Sequence, residues 1–284
     1  MASGVAEGSS TTTTSGGAVL PGARTDYRGG AFRTPRSLAE SGRVTLNTLI
    51  GETVASFLLI FIGTGSVVMF KIQQGTAVQL LPIALAWAFA VVVIVYAFGH
   101  VSGAHVNPSV TLGLALTRKF PWKAVPAYLA AQFVGMMLAS VAVLVIFGHP
   151  ARAHTIALGA TLPGKGVTEL GVLLVEIVIT ALLLLVVMAT ATDERAETPA
   201  VGLGVGLMVG GLILCEANID GTSLNPFRSL APMILSGYFP AWPAYVIGPL
   251  VGACVGALLY EHIIRSGTPP EPEGAVDEHP RGAL

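Results

Sequence analysis

The sequence predicts an all-α membrane protein: six transmembrane helices and two re-entrant half-helices in an inverted repeat. Three observations carry this. Of 284 residues, 53% are hydrophobic and only 11% are charged, against roughly 25% charged in a soluble domain. Six apolar stretches are long enough to cross a bilayer, which takes about 20 helical residues. Finally, two Asn-Pro segments occupy equivalent places in the two halves of the chain.

The spans are read as Leu46–Met69, Leu80–Phe98, Pro121–Phe147, Glu169–Ala191, Thr198–Ala217 and Pro240–Tyr260. Spans three and six share a pattern. Ala127, Ala131, Gly135 and Ala139 recur at steps of four on one, as do Ala244, Gly248, Gly252 and Gly256 on the other. Residues four apart share a helix face, and small ones let membrane helices approach closely, so these ridges are read as packing faces. Tyr128 follows Ala127 as Tyr245 follows Ala244, and spans one and four carry Glu52 and Glu176. The halves are about 44–150 and 165–265, forming one domain over 44–265. Residues 1–43, rich in Ser, Thr and Gly, bury too little apolar surface to offset ordering entropy and are read as a disordered tail. Residues 266–284 read as a flexible C-terminal tail.

Each half crosses the membrane an odd number of times, so the second half starts from the opposite face. The two Asn-Pro segments therefore enter from opposite sides, and the functional site is expected near the midplane where the halves meet. Lys and Arg set the orientation. Arg24, Arg28, Arg33, Arg36 and Arg43 lie in the N-terminal tail, and Arg118, Lys119 and Lys123 follow the first Asn-Pro. That side is expected to be cytoplasmic and to hold both termini. No organelle-targeting signal is read in the chain, and a bacterial inner membrane is expected.

Asn107-Pro108 and Asn225-Pro226 each precede an apolar run too short to span. Such a run fits a half-helix that dips in and returns, its irregular backbone lining a cavity. Asparagine is a favoured N-cap, and proline suits the first turn because its missing N–H has no partner there. Two such helices meeting head to head each bring roughly half a positive elementary charge to the centre. The side-chain N–H groups of Asn107 and Asn225 are left to donate into the pore. Arg228, just after the second pair, is a charge at membrane depth and hence a functional candidate.

Net charge is −1, so there is no electrostatic case for nucleic acid. Cys215 and Cys254 lie in apolar stretches and read as small buried hydrophobes; with so few clustered ligands, no metal site or disulfide scaffold is expected. No nucleophile–base pair supports an enzyme, and no prosthetic group is implied. A proton-coupled secondary transporter on the same inverted plan remains the alternative to a passive channel. It would favour broken spans around charged midplane groups, whereas here the half-helices lie between spans.

Ser102-Gly103-Ala104-His105-Val106-Asn107-Pro108-Ser109-Val110-Thr111 resembles the first signature of the aquaporin (major intrinsic protein) family, and Ser223-Leu224-Asn225-Pro226-Phe227-Arg228-Ser229 the second. Gly51-Glu52, Phe61-Ile62-Gly63-Thr64-Gly65, Gln132 and Ala191-Thr192-Asp193 match as well, so the resemblance covers about Leu46 to Ile264. Ser109 and Phe227 stand where the family usually has alanine, a pattern similar to nodulin-like intrinsic proteins and some bacterial aquaglyceroporin-like relatives. Phe227 is bulky for its position and is expected to pack behind the half-helix and shift Asn225.

The resemblance implies a selectivity filter of Trp87, Ile213, Thr222 and Arg228, with Glu52 and Glu176 holding the re-entrant loops. His105 is expected in a hydrogen-bonding role at the inner mouth, near His100. An apolar wall opposite one arginine implies passage of water, glycerol and undissociated metalloid acids such as arsenite or borate, with ions and protons excluded. Ser229 departs from the aspartate usual after this arginine in glycerol channels. The implied assembly is a homotetramer in the lipid bilayer, one pore per protomer.

Overall fold

The computed structural model describes residues 32, 35, 38, 43–74, 79–193, 195–196 and 201–266. The expected tails fall outside these residues except at Phe32, Pro35, Leu38, Arg43 and Ser266; Phe32, Pro35 and Leu38 are buried. The helices are α1 (Leu46–Gln74), α2 (Leu80–Ser102), α3 (Pro108–Leu116), α4 (Val125–Phe147), α5 (Glu169–Val187), α6 (Val201–Asp220), α7 (Pro226–Ser236) and α8 (Trp242–Leu259). A π turn, Met188–Thr192, extends α5, and another, Tyr260–Ile264, extends α8. Each expected span is a helix long and apolar enough to cross a membrane. Several outrun the expected ends, α1 reaching Gln74 and the last span Ile264, and, where the half-loops begin, α2 and α6 continue to Ser102 and Asp220. The stop there is conformational. Gly103 (φ 84) and Gly221 (φ 86) turn into the left-handed region, where glycine carries no Cβ penalty, and their N–H groups close the last turns on Gly99 and Ala217.

Helices that are apolar all round need another basis for association than a hydrophobic stripe. The packing pairs are α1 with α4, α5 with α8, and α2 with α6, with backbone proximity set by the small-residue ridges. A Cβ on Gly135 would stand 2.2 Å from the Thr53 carbonyl oxygen, and one on Gly252 would stand 2.4 Å from that of Ile177. These are repeat-equivalent contacts, and no larger residue fits either. The outward faces present Phe89, Val145, Leu170 and Leu207, the surface a hydrocarbon solvent requires. Cys215, expected to be buried, is exposed on α6, while Cys254 is half-buried. Helix rotation decides this: an apolar run on a membrane helix has a lipid face as well as a core face.

Polar ties gather on the face where α1 begins and α8 ends. Lys119 pairs with Glu261 at 3.1 Å. Asp193 accepts from Arg195 Nε at 2.8 Å and Nη2 at 2.6 Å, and from the Tyr260 hydroxyl at 2.8 Å. The Arg195 guanidinium holds the Asp193 carboxyl well below the usual carboxylate range.

Candidate functional site

The two Asn-Pro segments have the same local conformation. Asn107 (φ −158) caps α3 through Oδ1, which accepts from Ser109 N–H at 2.8 Å. Asn225 (φ −152) caps α7, accepting from Phe227 and Arg228 N–H at 3.0 and 3.2 Å. Pro108 and Pro226 open the helices, where no N–H is needed. The approach is matched residue by residue. Ala104 (φ 49) and Val106 (φ 45) correspond to Thr222 (φ 53) and Leu224 (φ 59). Non-glycine residues are rarely left-handed, so this strained backbone needs external restraint.

The restraint is mutual. Asn107 Nδ2 donates to the Leu224 carbonyl at 2.8 Å, and Asn225 Nδ2 donates to the Val106 carbonyl at 2.9 Å. One N–H of each amide is thus spent across the repeat, leaving one to face the cavity. The helix N-termini meet head to head, each with the positive end of its dipole.

Glutamates hold the loops from behind. Glu52 accepts from Val106 N–H at 2.6 Å, Ser102 Oγ at 2.8 Å and Gln132 Nε2 at 2.9 Å. Glu176 accepts from Ser223 and Leu224 N–H at 2.6 and 2.9 Å. Tyr128 and Tyr245 complete the pairing by donating to the Ser102 and Asp220 carbonyls at 2.7 and 2.6 Å. His105 is fully buried, its Nδ1 3.2 Å from Thr111 Oγ1 and its ring packed on Phe120 and Tyr128. His100, by contrast, is exposed.

Trp87, Ile213, Thr222 and Arg228 line one cavity of about 60 Å³ that also reaches Asn107 and Asn225. That volume suits a short file of small molecules rather than bulk solvent. The Arg228 guanidinium lies over the Trp87 ring, Cζ 4.7 Å from the centroid, a cation–π contact. Its Nη1 donates to the Gly159 carbonyl at 2.7 Å. Trp87 backs onto α1 where Gly63 leaves it room: a Cβ there would sit 2.4 Å from the indole. Val91, Val187, Val205 and Val209 give the same cavity an apolar lining.

Ser109 is fully buried with no hydrogen-bond partner for its hydroxyl among the described residues. Phe227 does not displace Asn225. Its ring turns to α4 and meets Phe133 edge-on, centroids 5.2 Å apart, and Asn225 keeps the bonds of its counterpart Asn107. Its bulk is thus absorbed between α7 and α4.

Sequence reasoning missed four participants. Gly159 lies in the connection between halves, where no motif marks it. Glu216 and Asp220 are buried carboxyls on α6 near Thr222, in addition to Glu52 and Glu176. Asp220 accepts from Thr222 N–H at 2.9 Å and corresponds to Ser102, whereas the Glu216 oxygens have no well-formed hydrogen bond among the described residues. Their i, i+4 spacing on an apolar span was the available signal. The fourth, Phe32, belongs to the presumed tail yet lines the cavity.

Residues 40–260 match the sequence profile of the major intrinsic protein family. The chain is 39% identical over 222 residues to a rice protein (Oryza sativa subsp. japonica) described as aquaporin NIP1-4, with 78% of each chain covered. It is likewise 39% identical over 235 residues to the probable aquaporin AqpM of Archaeoglobus fulgidus, covering 75% of this chain and 95% of that one. Among solved structures, the aquaglyceroporin from Plasmodium falciparum superposes with a TM-score of 0.70 at 26% identity, covering 77% of this chain and 96% of the other. With its half-helices, its matched loops and these relatives, the chain belongs to the major intrinsic protein family, the aquaporin-type passive membrane channels, and is not an enzyme.

Proposed function

We propose that this channel passes water and small uncharged hydroxylated solutes, glycerol and undissociated metalloid acids among them, and rejects ions and protons. The observation that carries the reading is the lining: one guanidinium, fixed on an indole face and a backbone carbonyl, shares its cavity with aliphatic Ile213. Arg228 donates hydrogen bonds to a passing hydroxyl, while Trp87 and Ile213 accept its carbon side. The same charge, together with the facing helix dipoles and the remaining Asn107 and Asn225 N–H groups, repels cations and interrupts a proton wire. The solved aquaglyceroporin likeness and the two asparagine-capped half-helices support this assignment. Trp87, Ile213, Thr222 and Arg228 act as the filter, and Glu52, Glu176 and His105 as loop supports. Apolar outer faces suit a homotetramer in lipid, and the Lys/Arg distribution supports cytoplasmic termini.

The test is stopped-flow light scattering on proteoliposomes, with shrinkage in sucrose compared with re-swelling in glycerol. Rapid re-swelling is expected. Fast shrinkage without it would mean a water-selective pore and would overturn the filter reading. Solute uptake driven by an imposed pH gradient would instead favour a proton-coupled transporter, for which the buried Glu216 would be the first residue to mutate.

A further inference from the structure

The connection between the two halves contains a strained stretch. Ala157, Leu158 and Gly159 are left-handed one after another, at φ 46, 54 and 74, and all are buried. Two non-glycine residues in that region persist only where their surroundings hold them there. The stretch presents the Gly159 carbonyl to Arg228 Nη1 at 2.7 Å. It has no slack towards α1, because a Cβ on Gly159 would stand 2.7 Å from the Thr64 carbonyl oxygen. Two residues on, Thr161 makes a second contact with the same half-helix. Its Oγ1 lies 2.7 Å from Ser229 Oγ, which lies 2.6 Å from Ser223 Oγ, and Ser223 Oγ donates to the Asn225 carbonyl at 2.9 Å. Thr161, Ser223 and Ser229 are all buried.

The direction of this chain follows from its hydrogens. Three hydroxyls bring three hydrogens to three bonds, and a carbonyl only accepts. Ser223 spends its hydrogen on Asn225, so Ser229 donates to Ser223 and Thr161 donates to Ser229. The chain starts at Thr161. The first half is supported otherwise. Thr111 follows Asn107 by four positions, as Ser229 follows Asn225, and it is held by Gln132 Nε2 from α4 at 3.0 Å. In the register that pairs Tyr128 with Tyr245 and Gly135 with Gly252, Gln132 corresponds to Pro249 of α8, which has no side-chain donor. Thr161 supplies from the connection the donor that α8 lacks.

We propose that Thr161 is a positioning residue of the filter: its bond to Ser229 clasps the connection to α7 and so keeps the Gly159 carbonyl on Arg228. The inference rests on the filter reading above. Gly159 and Thr161 bond consecutive residues of α7, so two points fix one short segment on one helix turn. With Thr161 released, the left-handed stretch is held by Gly159 alone and relaxes. The carbonyl then leaves the guanidinium, whose hydrogens lose their fixed direction. Water reorients to follow them, whereas a polyol that must meet a donor at a set place does not.

The test compares full-length wild type, Thr161→Val, Thr161→Ser, Ser229→Ala and the double variant Thr161→Val/Ser229→Ala in proteoliposomes, reading glycerol and water permeability on each preparation. The glycerol-to-water ratio is internal to a preparation, so a variant that merely folds less lowers both fluxes and leaves the ratio unmoved. One ordinary hydrogen bond weighs roughly two- to tenfold in an equilibrium, so Thr161→Val should lower the ratio about threefold or more. Thr161→Ser keeps the hydroxyl and should hold the wild-type ratio. Ser229→Ala breaks the same chain and should act in the same direction, with the double variant no lower than the lower single one. A folded Thr161→Val channel with the wild-type ratio overturns the proposal. Should Thr161→Val lose cooperative melting, Ser229→Ala decides in its place, and an unchanged ratio there overturns it equally. A wild type that passes no glycerol above bare liposomes overturns the filter reading itself, and the clasp with it.

Discussion

The filter geometry makes Gly63 the most informative position to perturb, although it never touches the pore. In Gly63→Ala the new methyl would stand 2.4 Å from Trp87 Cε2 and Cζ2 and 2.6 Å from Cδ2. Carbon–carbon contact settles at roughly 3.5–4.0 Å, so the indole must retreat by about 1.1 Å or more. Behind it is helix α1; ahead of it is the cavity, with Arg228 Cζ 4.7 Å above the ring. The ring and its guanidinium therefore move into the constriction. A water molecule has a radius of about 1.4 Å, so a shift of this size removes much of one molecule's width from the path. Glycerol permeability should fall by about tenfold or more and water permeability by less, while overpacking lowers stability by roughly 1–3 kcal/mol. The assay is glycerol re-swelling and sucrose shrinkage on matched proteoliposomes, with melting temperature as the folding control. The double variant Gly63→Ala/Trp87→Ala should regain glycerol flux, because with no ring to push, the two changes do not add. A Gly63→Ala protein that melts like wild type and carries both solutes at wild-type rates would refute the argument, since α1 would have yielded instead of the filter.

Three other expectations follow from the same geometry. Arg228→Val removes the charge and the 2.7 Å bond to Gly159, and should admit protons or small cations, read as collapse of an imposed pH gradient; a membrane as tight as wild type would count against the charge barrier. Glu52→Gln keeps the shape but replaces charge-assisted bonds to Val106, Ser102 and Gln132, each worth roughly 1.5–3 kcal/mol, so folding should suffer and any flux stay gradient-independent of protons. A proton-driven component lost in this variant would instead point to a transporter. Phe227→Ala should leave water flux unchanged and cost about 1–2 kcal/mol of stability, because the ring packs on Phe133 rather than against Asn225; altered flux in a well-folded variant would show that the ring does bear on the pore.

The sequence by itself determined what depends on local chemistry. The spans follow from apolar length, the opposed half-helices from an odd number of crossings per half, and their starts from asparagine caps followed by proline. Repeat pairing was legible too, since small residues at steps of four and matched glutamates recur in both halves. The tertiary structure alone decided what depends on side-chain direction and on contacts between distant segments. Arg228 is held by a carbonyl 69 residues away, and any backbone supplies a carbonyl, so no residue type announces Gly159. Gly63 and Trp87 show their interlock only when α1 and α2 are packed. Phe227, bulky in either case, packs on Phe133 of α4 while Asn225 keeps its bonds. Phe32 sits in a polar, low-complexity stretch whose average composition says tail, yet it and Leu38 are buried. Composition averages over a segment; a pore mouth is filled by single side chains, and only the fold brings them there.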